Sequence, residues 1–307
     1  HKRCAIDHLE PEGDLLRVHS RDYLRTFKEM SDKGGGEIGL RAPFGDGGYE
    51  LAALSAGLAK EAVLQVLDGQ LRNAYALTRP PGHHCLPDWP NGFCLLANIA
   101  IAVEAALAGG QARRVAVLDW DVHHGNGTEA IFYERADVLT VSIHQAHNYP
   151  LDTGDFADRG KGMGEGFNLN IPLPPGAGEA AWKAALSQLA LPQIAAFKPD
   201  LIVVASGYDA SAVDPLGRMV LGADCFGAMT RATMATADEV CDGRLVLVHE
   251  GGYSEVHAPF CGHSAISALA GRDGVTDPLG QAIRQRQPDA ATTAFHLSQI
   301  EAMVAAM

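Results

Sequence analysis

RVAVLDWDVHHGNG, residues 114–127, carries two messages in one short stretch. Arg114–Asp119 is an apolar run that ends in an acid, the pattern of a strand buried on both faces of a sheet. Immediately beyond it the residues turn polar and chemically dense, with Asp121, His123, His124 and Asn126. Asp121 and His123 are two positions apart, so on extended backbone both side chains leave the same face, as two ligands of one metal ion would.

The pattern recurs on either side. Asn73–Arg79 (NAYALTR), Val138–Ile143 (VLTVSI), Leu201–Ala205 (LIVVA) and Arg244–His249 (RLVLVH) also read as strands. Helical patterns lie at Gly92–Leu107, Thr128–Tyr133, Glu179–Phe197, Ala223–Cys241, Gly262–Ala270 and Thr292–Ala306, with Pro199 and Asp200 stopping the third. Strands alternating with helices predict an α/β fold, a largely parallel sheet with helices on both faces. No internal repeat or low-complexity linker divides residues 1–307, so a single domain is expected. Such sheets bind ligands beyond the carboxyl ends of their strands.

Those ends are where the chemistry gathers. Arg79-Pro80-Pro81-Gly82-His83-His84 follows the first strand, His144 follows VLTVSI, Ser206-Gly207-Tyr208-Asp209 follows LIVVA, and Glu250-Gly251-Gly252-Tyr253 follows RLVLVH. Asp209 can join Asp121 and His123 as a carboxylate–imidazole–carboxylate set, which suits Zn²⁺ with a position left for water. His83 and His84 suit general base and acid work, and each needs a partner on its other ring nitrogen; Asp119 and Asn126 are the candidates. Tyr253, after two glycines, can donate to an oxyanion. Each signal alone also admits a plain reading: a capping Asp with a core His, a buried structural carboxylate at Asp119, a packed ring at Tyr253. The convergence of five strand ends favours a site.

Composition excludes several functions. The 307 residues carry 24 Lys+Arg against 37 Asp+Glu, a net charge of −13, which argues against nucleic acid as a partner and gives a field that favours cations. No apolar run is long enough to span a membrane. Cys4, Cys85, Cys94, Cys225, Cys241 and Cys261 form no CxxC pair and no disulfide framework, so a reducing cytoplasm is the expected compartment. Residue 1 is His, which suggests a processed or truncated start.

The stretches 79–102, 115–134, 141–144, 205–217 and 249–253 together resemble the histone deacetylase superfamily, which includes bacterial histone deacetylase-like and acetylpolyamine amidohydrolases. The resemblance implies the arginase–deacetylase fold, with a mainly parallel eight-stranded sheet. It implies a zinc-dependent amidohydrolase that removes an acetyl or other short acyl group from an amine, a lysine side chain or a small molecule, and releases acetate. Asp121, His123 and Asp209 match the ligands of one Zn²⁺ per chain. His83 and His84 match the tandem histidines, with His84 as base and acid, and Asp119 and Asn126 match their partners. Asn126 and HEGGY (249–253) are of the class II type. Tyr253 matches the residue that polarises the acyl carbonyl. Gly92 and Phe93 match one wall of a substrate tunnel and Tyr149 the opposite wall, while Leu216 and Gly251 match other substrate-binding positions. Asp119, Asp121, His123, Ser142 and Ile143 match a structural K⁺ site built largely from main-chain oxygens.

The resemblance also frames the rivals. Leu216 stands where a polyamine-specific eukaryotic relative carries Glu, which removes one support for polyamine selectivity; an acetylpolyamine deacetylase stays open because bacterial ones do not depend on that Glu. An arginase-like two-manganese hydrolase would need D-x-H-x-D, but position 125 is Gly. A catalytically silent acyl binder would be expected to lose the ligands or Tyr253. The usual amino-terminal strand is expected to be short or absent, and the family pattern begins near Leu15–Tyr23. Gly34–Gly48 is expected at the rim, where Asp46 would steer a cation, anchor a peptide or simply occupy a solvated turn. Homo-oligomerisation is left open.

Overall fold

The computed structural model describes residues 12–307. Six parallel strands form the central sheet: β1 (Asn73–Ala76), β2 (Val115–Asp119), β3 (Val138–Gln145), β4 (Asn168–Leu173), β5 (Leu201–Ser206) and β6 (Leu245–His249). Their order is β1-β6-β5-β2-β3-β4. Every residue of β2, β3 and β5 is buried, which is why these strands read as unbroken apolar runs rather than alternating ones.

Alternate residues serve two cores. Ala116 and Leu118 of β2 join one with Trp182, Phe226 and Ile300, under the helices Ala223–Val240, Ala258–Leu269 and Ala290–Ala305. Val115 and Val117 join the other with Phe27, Val63 and Ile99, under the helices Arg21–Asp32, Gly48–Leu67 and Asn98–Ala108. Each Val, Leu or Ile so buried contributes roughly 1.5–3 kcal/mol of transfer free energy.

Two expectations need correction. The main sheet has six strands, not eight; eight came from the resemblance, and no further run in the described residues joins this sheet. The sixth strand, β4, escapes the reading of apolar runs because Asn168, Asn170 and Pro172 interrupt NLNIPL. The helix expected from Gly92 begins only at Asn98, because Gly92 and Phe93 take positive φ values of 56° and 67°. Gly35–Glu37 and Pro43–Gly45 form a separate antiparallel hairpin within the expected rim segment.

Strand order places the site. From β2 the chain proceeds outward through β3 and β4, then returns to lay β5 on the other side of β2. The crevice beyond the ends of β2 and β5 is therefore the topological switch point.

Candidate active site

β2 delivers Asp121 and His123 to that crevice, and β5 delivers Asp209. The three are buried and can bring one ligand atom each within 4.8 Å of the others. His123 Nδ1 lies 2.9 Å from Asp121 Oδ1 and 3.1 Å from Asp209 Oδ2. The backbone N–H of Val122 donates to Asp209 Oδ1 (2.8 Å), and that of Gly251 donates to Asp121 Oδ2 (2.8 Å). Beyond that approach of His123, which is not aligned as a hydrogen bond, no group donates to the buried Asp209 Oδ2. Two buried carboxylates, an imidazole nitrogen between them and one oxygen left without a donor make a ligand set suited to a cation, and its ligand types fit Zn²⁺. Burial and the neighbouring Asp121 charge push the Asp209 carboxyl up. Burial alone would lower His123, but Asp209 and Asp121 outweigh it and hold the ring well above its ordinary range.

Glycine is required at Gly251, where a methyl carbon would collide with carboxylate oxygens of both Asp209 and Asp121. Gly125 bears on the two-metal rival. A side chain there would run into Asp119 Oδ2, so no bridging acid fits beside His123.

His83 and His84 lie side by side, ring centroids 4.0 Å apart. Their Nδ1 atoms meet different partners: Asp119 Oδ2 at 2.9 Å for His83 and Asn126 Oδ1 at 2.8 Å for His84. An amide oxygen only accepts, so His84 carries its proton on Nδ1 and presents a free lone pair on Nε2. For His83, burial acts to lower the ring, but Asp119, Asp121 and Glu250 together raise it to about 10. His84 has no carboxylate partner, and burial with the His83 and His123 charges holds it well below the usual range. The backbone N–H groups of Gly82 and His83 donate to Glu250 Oε2 (2.7 and 3.1 Å), which fixes the turn that presents both rings.

The aromatic residues stand on two sides. Tyr149 packs edge-on against His84 (5.0 Å) and His123 (6.2 Å), and its hydroxyl donates to Asn91 Oδ1 at 2.8 Å. Phe93 packs edge-on against Tyr253 at 5.8 Å. Burial, followed by the Asp209 and Asp121 charges, keeps the Tyr253 phenol protonated far above its usual range. Gly92 donates its N–H to Leu40 O (3.1 Å), and Leu216, 43% exposed, lies beside Asn148 at the outer edge. Asp119 and Ser142 are paired in register between β2 and β3, followed by Ile143.

Three contributors were absent from the residues singled out in the sequence. Asp214 Oδ2 accepts from the N–H groups of Tyr253 (2.7 Å) and Ser254 (3.1 Å), and Oδ1 accepts from Leu216 N (2.9 Å). Before Pro215, Asp214 reads as a turn residue, and no spacing links it to Tyr253. Glu250 stands in the run that follows RLVLVH and in HEGGY, but no role is assigned to it there. Asn91 bridges Tyr149 to the His84 carbonyl, to which its amide donates at 2.7 Å.

The sequence profile of the histone deacetylase domain matches residues 4–269. The chain belongs to the histone deacetylase family. It is 54% identical over 295 residues to a histone deacetylase-like amidohydrolase of Pseudomonas aeruginosa, covering 96% of this chain and 78% of that protein. It is 43% identical over 261 residues to a probable deacetylase of Archaeoglobus fulgidus, covering 85% of this chain and 72% of that one. In structure it is similar to the crystal structure of the HDA15 HD domain, with a TM-score of 0.82, 28% identity and coverage of 98% of this chain and 86% of that one. Membership of the histone deacetylase family supports a deacetylase role and hydrolase activity on an acylated amine. No helix among the described residues of this family member is long and apolar enough to cross a membrane.

Proposed function

We propose that the chain is a single-domain, zinc-dependent deacetylase of class II type, with one Zn²⁺ held by Asp121, His123 and Asp209. The observation that carries this reading is the buried carboxylate–imidazole–carboxylate set beside two histidines and Tyr253. A bound zinc ion supplies Lewis acidity and makes water more acidic. His84 takes the proton of the attacking water at Nε2, while Asn126 holds its Nδ1–H. Water oxygen bonds to the acyl carbon, and the Tyr253 hydroxyl donates to the carbonyl oxygen as negative charge develops there. The carbon–nitrogen bond then breaks, a tandem histidine returns the proton to the amine, and acetate and free amine leave. Asp119 keeps His83 oriented. Gly92, Phe93 and Tyr149 flank the acyl-bearing stem, with Leu216 at the rim and Gly251 beneath. A structural K⁺ at Asp119, Asp121, His123, Ser142 and Ile143 belongs to the same reading, supported by the in-register approach of Asp119 to Ser142. The five cysteines among the described residues are free and buried, in keeping with a reducing cytoplasm.

The test is turnover of zinc-loaded protein on acetyl-lysine peptide, acetylputrescine and trifluoroacetyl-lysine, beside Asp209→Ala. Wild type should bind one zinc per chain and release acid from at least one substrate. Asp209→Ala should lose both metal and activity; stoichiometric zinc in that variant removes Asp209 from the ligand set.

A further inference from the structure

Arg41 lies in none of the motif stretches, yet it touches both aromatic sides of the site. Leu40 and Arg41, between the strands of the Gly35–Gly45 hairpin, are laced to the segment that carries Phe93. Leu40 N donates to Pro90 O (3.1 Å), Gly92 N to Leu40 O (3.1 Å), and Phe93 N to Arg41 O (2.8 Å). The Arg41 guanidinium lies over the Tyr149 ring, 5.7 Å from its centroid. The backbone at Arg41 has φ 54°, a left-handed conformation that a non-glycine residue keeps only when its surroundings impose it. Arg41 is exposed and makes no ion pair among the described residues. It is thus an unneutralised cation held in place at the mouth of the site, in a chain whose net charge is −13.

We propose that Arg41 is a specificity-determining residue that selects acyl-lysine within a polypeptide, with neutral or acidic neighbours, over acylated polyamines. The inference rests on the deacetylase reading above and deepens it. When the acyl group reaches the histidines, the remainder of the substrate emerges past Tyr149. An acylated polyamine presents a second, protonated nitrogen only a few methylenes away, within a Debye length of about 8–10 Å from the guanidinium. A peptide presents backbone amides there, which are neutral, and acidic neighbours are attracted. The distant acidic surface draws cations from solution, but at this range the fixed local charge decides, because its field is the least screened.

The experiment compares kcat/KM of zinc-loaded wild type, Arg41→Lys, Arg41→Ala and Arg41→Glu on a Glu-flanked acetyl-lysine peptide and on acetylputrescine. Each value is divided by that for a neutral, end-blocked acetyl-lysine in the same variant, which removes any general damage to Tyr149. Arg41→Glu should lower the peptide-to-acetylputrescine preference about tenfold, with Arg41→Ala intermediate and Arg41→Lys near wild type. High salt should compress the wild-type preference. A normalised preference in Arg41→Glu within twofold of wild type overturns the proposal, even where absolute rates fall. Wild type that turns over no acyl amine overturns the deacetylase reading instead, and this inference with it.

Discussion

The floor and the mouth of the site are built differently. The floor consists of residues just past the ends of β2, β5 and β6, and Asp121, Asp209 and Glu250 are each at most 4% exposed. Its hydrogen bonds come from neighbouring backbone, as when Val122 and Gly251 donate to the two carboxylates. The mouth consists of loop residues, with Leu40 at 52% and Phe93 at 41% exposed, and is held by contacts between distant segments. A floor tied to a buried sheet supplies fixed geometry for bond breaking. A mouth tied to loops leaves room for substrate selection.

That contrast predicts a gradient of effects. Tyr253→Phe, which removes one hydroxyl from the floor, should cut kcat by ~10²–10³ with zinc content unchanged. Near wild-type turnover would remove Tyr253 as the oxyanion donor. Asp214→Ala leaves three backbone donors unpaired and frees the segment that presents Tyr253. It should lower kcat about tenfold, more than it alters KM, with zinc retained. Asp214→Asn, which keeps an acceptor oxygen, should recover part of the loss. A lower melting temperature with kcat intact would mark Asp214 as structural only. Phe93→Ala should act at the mouth, raising KM roughly two- to tenfold while kcat stays within about twofold. A larger effect on kcat than on KM would place Phe93 with the floor and break the distinction.

Legibility followed the same division. Asp119, Asp121, His123, Asp209, His83, His84 and Tyr253 were readable because a sheet edge gathers residues that follow apolar runs, and such runs are visible in one dimension. β4 was not, since its two buried asparagines are satisfied by a distant side chain: Asn168 and Asn170 both donate to the part-buried Glu129 Oε2, at 2.7 and 2.6 Å. The Asp214 clamp on Tyr253 spans 39 positions and has no periodic signature. Arg41 is one charge in a glycine-rich loop and carries no local signal of its own.

Taken by itself, the sequence determined the parallel α/β architecture, the placement of the candidate site beyond the strand ends and the donor types gathered there, because burial period and residue chemistry are local properties of the chain. Only the tertiary structure decided that six strands form the sheet, that His83 and His84 receive partners of different charge, and that Arg41 stands over Tyr149. These depend on which distant segments meet, and hydrogen bonds between loops are directional interactions whose partners no local pattern names.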